Sequence, residues 1–241
     1  MPGGRRCLIA LAACWTLFAC TSEPTGAGGN QASEANGGED GLATTPPDIL
    51  LDPDHADWSE ESPDSFRARF ETNEGPFVIE VHRTWSPRGA DHFYNLVRHG
   101  FYDDQRFSRV VEGFITQWGL SGDPEVTRAW KGRTIPDDPV VASNLRGYIS
   151  YAMTGPDTRS TQVYISMVDN TRLDRQGFSP LGQVVEGMEV VDRLYSGYGE
   201  DAGGGMRAGN QGPVEEGGTA YLVEHYPELD FVIQARIESG S

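Results

Sequence analysis

One arginine stands among apolar residues in the run FSRVVEGFITQWG, residues 107–119. Read as an extended strand, Phe107, Arg109 and Val111 share one face, and Ser108, Val110 and Glu112 share the other. A guanidinium keeps its proton at any pH a protein meets and presents five donors in a rigid fork. Gly113 permits a bulge that turns Phe114 and Ile115 toward one hollow, and Gln117 adds an amide two residues on. The expected product is an apolar concavity holding one permanent cation. The competing reading is a surface arginine whose stem lies on the sheet and whose head pairs with Glu112 or with an acid on a neighbouring strand. This run alone leaves both open.

A second stretch, GYISYAMTGPDTRSTQVYI over residues 147–165, favours the first reading. Ile149 and Tyr151 read as strand, Gly155 to Asp157 as a turn, and Gln162 to Ile165 as the returning strand. Together the two stretches resemble the signature regions of the cyclophilins, the prolyl cis/trans isomerases. The resemblance runs from about Phe66 to Ile237 and takes in FETNEGPFVIEV, GADHFYNLVRHGFYDDQRF and PLGQVVEGMEVVDRL. It implies a mostly β fold: a closed antiparallel barrel of about eight strands capped by two helices.

Carried over residue by residue, the resemblance gives Arg109 the role of catalytic arginine. Phe114, Ile115 and Gln117 match pocket positions, with Ile115 where a Met is common. Ala152, Met153 and Thr154 match the stretch that binds substrate backbone, and Gln162 matches a site amide. Tyr164 matches a pocket Phe, and Leu173 matches a further wall. Three departures stand out: Arg172 occupies the position of a Trp found in tight cyclosporin binders, Met153 replaces an Asn, and Phe178 replaces a His. They imply weak binding of that drug.

The chemistry such a family performs suits these side chains on physical grounds. Rotation about a peptide bond faces about 18–20 kcal/mol because the nitrogen lone pair is delocalised. X-Pro bonds differ little in free energy between cis and trans, yet interconvert slowly. No bond is made, so no nucleophile, metal or cofactor is required. In the twisted transition state the lone pair returns to nitrogen, and a donor aimed there stabilises that state selectively. Phe114, Ile115, Tyr164 and Leu173 would hold the pyrrolidine ring and exclude water.

Other chemistries find little support. The histidines at 55, 82, 92, 99 and 225 form no HxxxH pair and have no Cys at ligand spacing. DPDHADW begins like a calcium loop, but Asp57 stands where Gly is needed and Pro63 where Glu is needed. The glycines at 203–205 and 209 lack the Gly-Lys-Ser/Thr of a phosphate cradle, and Ser150 lacks the following Gly of a nucleophile elbow.

The elements that must carry the site follow from pattern. Phe66–Glu71 and Pro76–Val81 read as a hairpin around Asn73-Glu74-Gly75. Ser86 reads as the N-cap of a helix with Pro87 at its first position, Phe93, Leu96 and Val97 facing inward, and Gly100 as its stop. A second helix is expected from about Glu186 to Tyr195. Residues 197–226 exceed what the resemblance requires and contain a short helical pattern at Thr219–His225.

Domain organisation is read as a leader over residues 1–19, a tether over 20–64 and one isomerase domain of about 175 residues over 65–238. Arg5 and Arg6 precede an apolar run too short to span a membrane and suited to a secretory h-region. It ends in LFAC, so Cys20 resembles the acylated Cys of a bacterial lipoprotein. LAAC ending at Cys14 is the alternative, but it leaves a short h-region before it. A cleaved leader that releases a soluble protein is the further alternative. All three cysteines lie in this segment, and none is left in the body for a disulfide. No Lys or Arg occurs between Arg6 and Arg67, and the Gly-, Ser-, Pro- and acid-rich stretch between reads as disordered, apart from Ile49–Leu51, which could dock.

Net charge is −17, and loss of the leader removes two arginines more. That balance excludes nucleic acid and direct adsorption to anionic headgroups, leaving a lipid anchor as the route to a membrane. The expectation is a monomeric isomerase in the bacterial cell envelope, its domain in the periplasm, acting on X-Pro segments of unfolded or exported polypeptides. The alternative is a Pro-peptide-binding or chaperone module with little turnover.

Overall fold

A computed structural model describes residues 47–202 and 211–238. The leader, Cys20 and the tether as far as residue 46 lie outside the described residues. The remainder of the tether does not fit its composition: Asp48–Leu51 and Ala56–Ser59 form 3-10 turns, and Leu50 is buried in the core. The Trp130 indole N–H donates to the Leu50 carbonyl at 2.9 Å, and Trp58 packs edge-on against Trp130. Leu50, with Trp58 and Trp130, thus outweighs the surrounding acids.

Eight antiparallel strands form one sheet: β1 (Ser65–Thr72), β2 (Gly75–His82), β3 (Arg109–Val111), β4 (Ile115–Trp118), β5 (Tyr148–Tyr151), β6 (Val163–Ser166), β7 (Pro180–Glu186) and β8 (Val232–Ile237). Their order is β3-β4-β6-β5-β7-β2-β1-β8. Alternation sets the faces. In β1, Phe66, Ala68, Phe70 and Thr72 are buried while the residues between them are half-buried or exposed. Phe70 and Phe77 stack at 5.0 Å, and Trp118 meets Phe70 edge-on at 5.6 Å.

The closed barrel expected from the resemblance is not formed. Among the described residues the edge strands β3 and β8 share no ladder; an isolated bridge between Arg106 and Phe231 spans the seam, flanked by Phe107 N–H to the Asp230 carbonyl and Val232 N–H to the Gln105 carbonyl. Antiparallel pairing carried forward from Arg106 runs back from Phe231, away from β8, so β3, which begins at Arg109, does not meet β8. The sheet is curled and open.

Among the described residues four α-helices accompany it rather than two: α1 (Pro87–Arg98), α2 (Pro124–Trp130), α3 (Met188–Arg193) and α4 (Gly212–His225). α1 buries Phe93, Leu96 and Val97 as its spacing predicts. Its cap differs from expectation. The Ser86 hydroxyl makes no cap bond but donates to Asp138, whose carboxylate accepts the Gly89 N–H at 2.9 Å and the Arg88 N–H at 3.3 Å. Asp138 therefore caps α1 from fifty residues away, because a carboxylate satisfies two orphan donors where a hydroxyl satisfies one. α2, absent from the sequence reading, is capped by Asp123, which accepts from the Glu125 N–H at 2.7 Å. α4 is broken at Gly218, so its second half coincides with the pattern at Thr219–His225.

Candidate functional site

The β4 alternation sends Thr116 and Trp118 to one face and Ile115 and Gln117 to the other. Ladder register then aligns residues from three strands: Arg109 of β3 lies opposite Gln117, and Gln117 lies opposite Tyr164 of β6. Neighbouring strands are about 4.8 Å apart, so these side chains share one patch without any loop placing them. Gly113, with φ of +66°, makes the β3–β4 turn and brings Phe114 over the same patch. The Arg109 guanidinium carbon sits 5.6 Å from the Phe114 ring centroid.

A cavity of about 350 Å³ opens here. Arg109, Phe114, Ile115 and Gln117 form one side; Ala152, Met153, Thr154 and Gln162 form another; Tyr164, Leu173 and Phe178 complete it. All the residues singled out in sequence as catalytic or substrate-binding therefore line one hollow. Its apolar part is a cluster separate from the main core: Ile115, Tyr164 and Leu173 are buried, with Phe114, Ala152 and Phe178 packed against them. Tyr164 and Phe178 meet edge-on at 5.9 Å. Arg172 lies over the Phe114 ring, 4.7 Å from its centroid.

Arg109 is embedded, its side chain 13% exposed. Nη1 donates to Gln117 Oε1 at 3.0 Å, and Nη2 to Glu200 Oε1 at 2.7 Å. Gln117 Nε2 donates to Gln162 Oε1 at 2.9 Å, and Gln162 Nε2 to Gln211 Oε1 at 2.9 Å. One sequence expectation fails here. Phe107 does not flank Arg109; it is buried in the main core against Trp118 at 5.5 Å, because the chain ahead of β3 pairs with β8 and presents the opposite face. The acid that meets Arg109 is likewise neither Glu112 nor a strand neighbour.

Three residues that the sequence reading passed over complete the site. Glu200 and Gln211 come from the long segment after α3, and nothing local marks them. Asn144 is fully buried and accepts from the Tyr164 hydroxyl at 2.8 Å and the Ser150 hydroxyl at 2.9 Å, while its own amide donates to Asp174 and to the Phe178 carbonyl. It satisfies the one polar atom of the apolar wall. Burial raises the Tyr164 hydroxyl well above its ordinary titration range, so that wall stays neutral.

Further along the β5–β6 connection that carries Ala152 to Thr154, Arg159 is buried and donates to Asp138 at 3.0 Å and to the Ser86 hydroxyl at 3.1 Å. Burial opposes the Asp138 charge, but the Ser86 hydroxyl, the Gly89 N–H and Arg159 overcome it and hold its carboxyl below the usual range. The cap of α1 and the anchor of the β5–β6 connection thus share Asp138 and Ser86.

Fold and hollow define an antiparallel β protein with an apolar groove, one embedded guanidinium and a line of amides. A family model described as cyclophilin type peptidyl-prolyl cis-trans isomerase/CLD matches residues 67–213. Peptidyl-prolyl cis-trans isomerase CYP18-2 of Arabidopsis thaliana is 35% identical over 134 residues, 52% of this chain and 78% of that one. Peptidyl-prolyl cis-trans isomerase B of Escherichia coli is 32% identical over 133 residues, 52% of this chain and 81% of that one. The crystal structure of a Cryptosporidium parvum cyclophilin type peptidyl-prolyl cis-trans isomerase shares the fold, with a TM-score of 0.51 at 21% identity over 73% of this chain and 99% of that one. The chain belongs to the cyclophilin-type peptidyl-prolyl cis-trans isomerases.

Proposed function

We propose that Arg109 catalyses rotation about X-Pro bonds by donating to the amide nitrogen as its planarity is lost. The observation that carries this reading is the embedded Arg109 fork, anchored by Gln117 at the edge of the Ile115–Tyr164–Leu173 cluster. The cluster receives the pyrrolidine ring, and the low-dielectric surroundings strengthen a donor that gains its partner only in the twisted state. Met153 and Thr154 hold the substrate backbone, and Gln162 holds Gln117 in register.

The clients are Pro-containing segments of exported polypeptides, met in the periplasm by a domain anchored through an acylated Cys20. The support is the leader pattern ending in LFAC and the absence of cysteine from the body. Two experiments test the reading. On X-Pro peptides, Arg109→Ala lowers kcat/KM about a hundredfold with an unchanged near-UV spectrum; equal rates would point to a binding module instead. In a bacterial host, a clickable fatty-acid analogue labels the wild type and not Cys20→Ala; label retained in that variant would remove the anchor from Cys20.

A further inference from the structure

The polar line of the site has two ends, and both belong to the segment after α3. It runs Glu200–Arg109–Gln117–Gln162–Gln211 through bonds of 2.7, 3.0, 2.9 and 2.9 Å. Gln211 closes the far end twice, since its own Nε2 returns a bond to Gln162 Oε1 at 3.1 Å. The middle three residues are strand-borne or adjoin a strand. The outer two come from a part of the chain that carries no strand among the described residues.

The described parts of that segment are built onto the domain. Ala202, Val214, Leu222 and Leu229 form an apolar cluster of their own, with Leu120 and three tyrosines packed on it. Lys131, the chain's single lysine, pairs with Glu215 at 2.8 Å. The helix break at Gly218, with φ of +54°, lets the backbone approach the 119–124 loop so closely that a Cβ would lie 2.1 Å from the Gly122 carbonyl oxygen. That same oxygen accepts the Thr219 N–H at 2.8 Å. Glu200 and Gln211 are therefore presented by a framed wall.

We infer that Glu200 and Gln211 are positioning residues of the isomerase site, with Glu200 fixing the plane of the Arg109 guanidinium. This rests on the role proposed above for Arg109. Gln117 alone grips one Nη and leaves the fork free to turn; a second acceptor on the other Nη defines its plane, and a charge-assisted bond with little water access does so firmly. Donor count separates positioning from blockade. Five N–H groups are present on a guanidinium, Gln117 and Glu200 take one each, and donors remain for a substrate amide.

The test is a double-mutant cycle on X-Pro peptides with the full chain. Glu200→Ala lowers kcat about tenfold with KM changed less than twofold, and Glu200→Gln, which keeps an acceptor, recovers most of the loss. In an Arg109→Ala background, Glu200→Ala has no further effect, since a residue acting through Arg109 has nothing left to position. Two results would overturn the inference: equal losses from Glu200→Ala with and without Arg109, or a gain in activity from Glu200→Ala, which would make the segment an inhibitory plug. If Arg109→Ala itself retains wild-type rates, the catalytic reading fails first and is recognised as such. Gln211→Ala supplies an independent arm, expected to lower kcat about threefold and overturning its own assignment if it leaves the rate unchanged.

Discussion

The two halves of the site are held by different means. Arg109, Gln117 and Tyr164 are neighbours because three antiparallel strands are in register, and any sequence that forms the ladder places them together. Glu200 and Gln211 reach the same line because a separate apolar cluster, one ion pair and a glycine contact dock their segment against the 119–124 loop. The first kind of placement is set by backbone hydrogen bonds and is hard to perturb locally. The second depends on a few tertiary contacts and is open to single substitutions.

Cutting the line in its strand-borne middle has the largest expected effect. Gln117→Ala removes both the acceptor on Arg109 Nη1 and the donor to Gln162, and kcat falls on the order of a hundredfold in peptide isomerisation. A loss under threefold would show that the strands position Arg109 without the amide.

His92 of α1, packed beside Tyr151 of β5 at 5.9 Å, makes the fold sensitive to acid. Burial, with the Arg159 charge adding to it, outweighs a Ser160 backbone bond and lowers His92 to about 4. A histidine near its ordinary value of about 6.5 in the unfolded chain then binds a proton that the folded chain refuses. Stability is full above the unfolded value, falls as pH drops through it, and levels off below about 4. Between pH 7 and 5 the loss reaches at most about 2 kcal/mol, read as a falling urea midpoint. His92→Gln flattens that slope; an unchanged slope would relieve His92 of the role.

The docked half is tested at its junction. Gly218→Ala places a Cβ against the Gly122 carbonyl and strains a left-handed backbone. Activity is expected to fall about tenfold, to the level of Glu200→Ala, with the thermal midpoint of the domain shifting little. A large drop in that midpoint with full activity would reverse the comparison.

Legibility in the sequence follows the same division. Arg109 stood out as a cation among apolar neighbours and Gln117 by its spacing and the resemblance, while the helical period marked the inward face of α1, because it reports local geometry. Capping of α1 by Asp138, the open seam between β3 and β8, and the placement of Phe107 in the core depend on partners far along the chain. Glu200 is one of thirty-six acids, and only the docked segment distinguishes it. The 3-10 turns before β1 fall between: Leu50 was visible as an apolar island, and its pocket beside Trp130 was not.

A smaller effect is expected from Arg172, which lies over Phe114 where the resemblance would place Trp. Cyclosporin inhibition is expected to be weak and Arg172→Trp to tighten it about tenfold; a low nanomolar constant for the wild type would contradict this. The smallest effect is expected on turnover with pH, flat from about 6 to 9 because the proposed donor to the twisted nitrogen is an arginine, which keeps its proton throughout. A limb near neutrality would count against an arginine acting without a titrating partner.

The central claim is that a fixed fork of donors, and not positive charge alone, meets the twisted nitrogen. Exchange NMR on one X-Pro peptide with Arg109→Lys tests it most directly, since lysine keeps the charge and loses the planar fork. The account predicts cis/trans exchange at least about tenfold slower than wild type in a folded variant. Exchange within about twofold of wild type would show that charge suffices and contradict it.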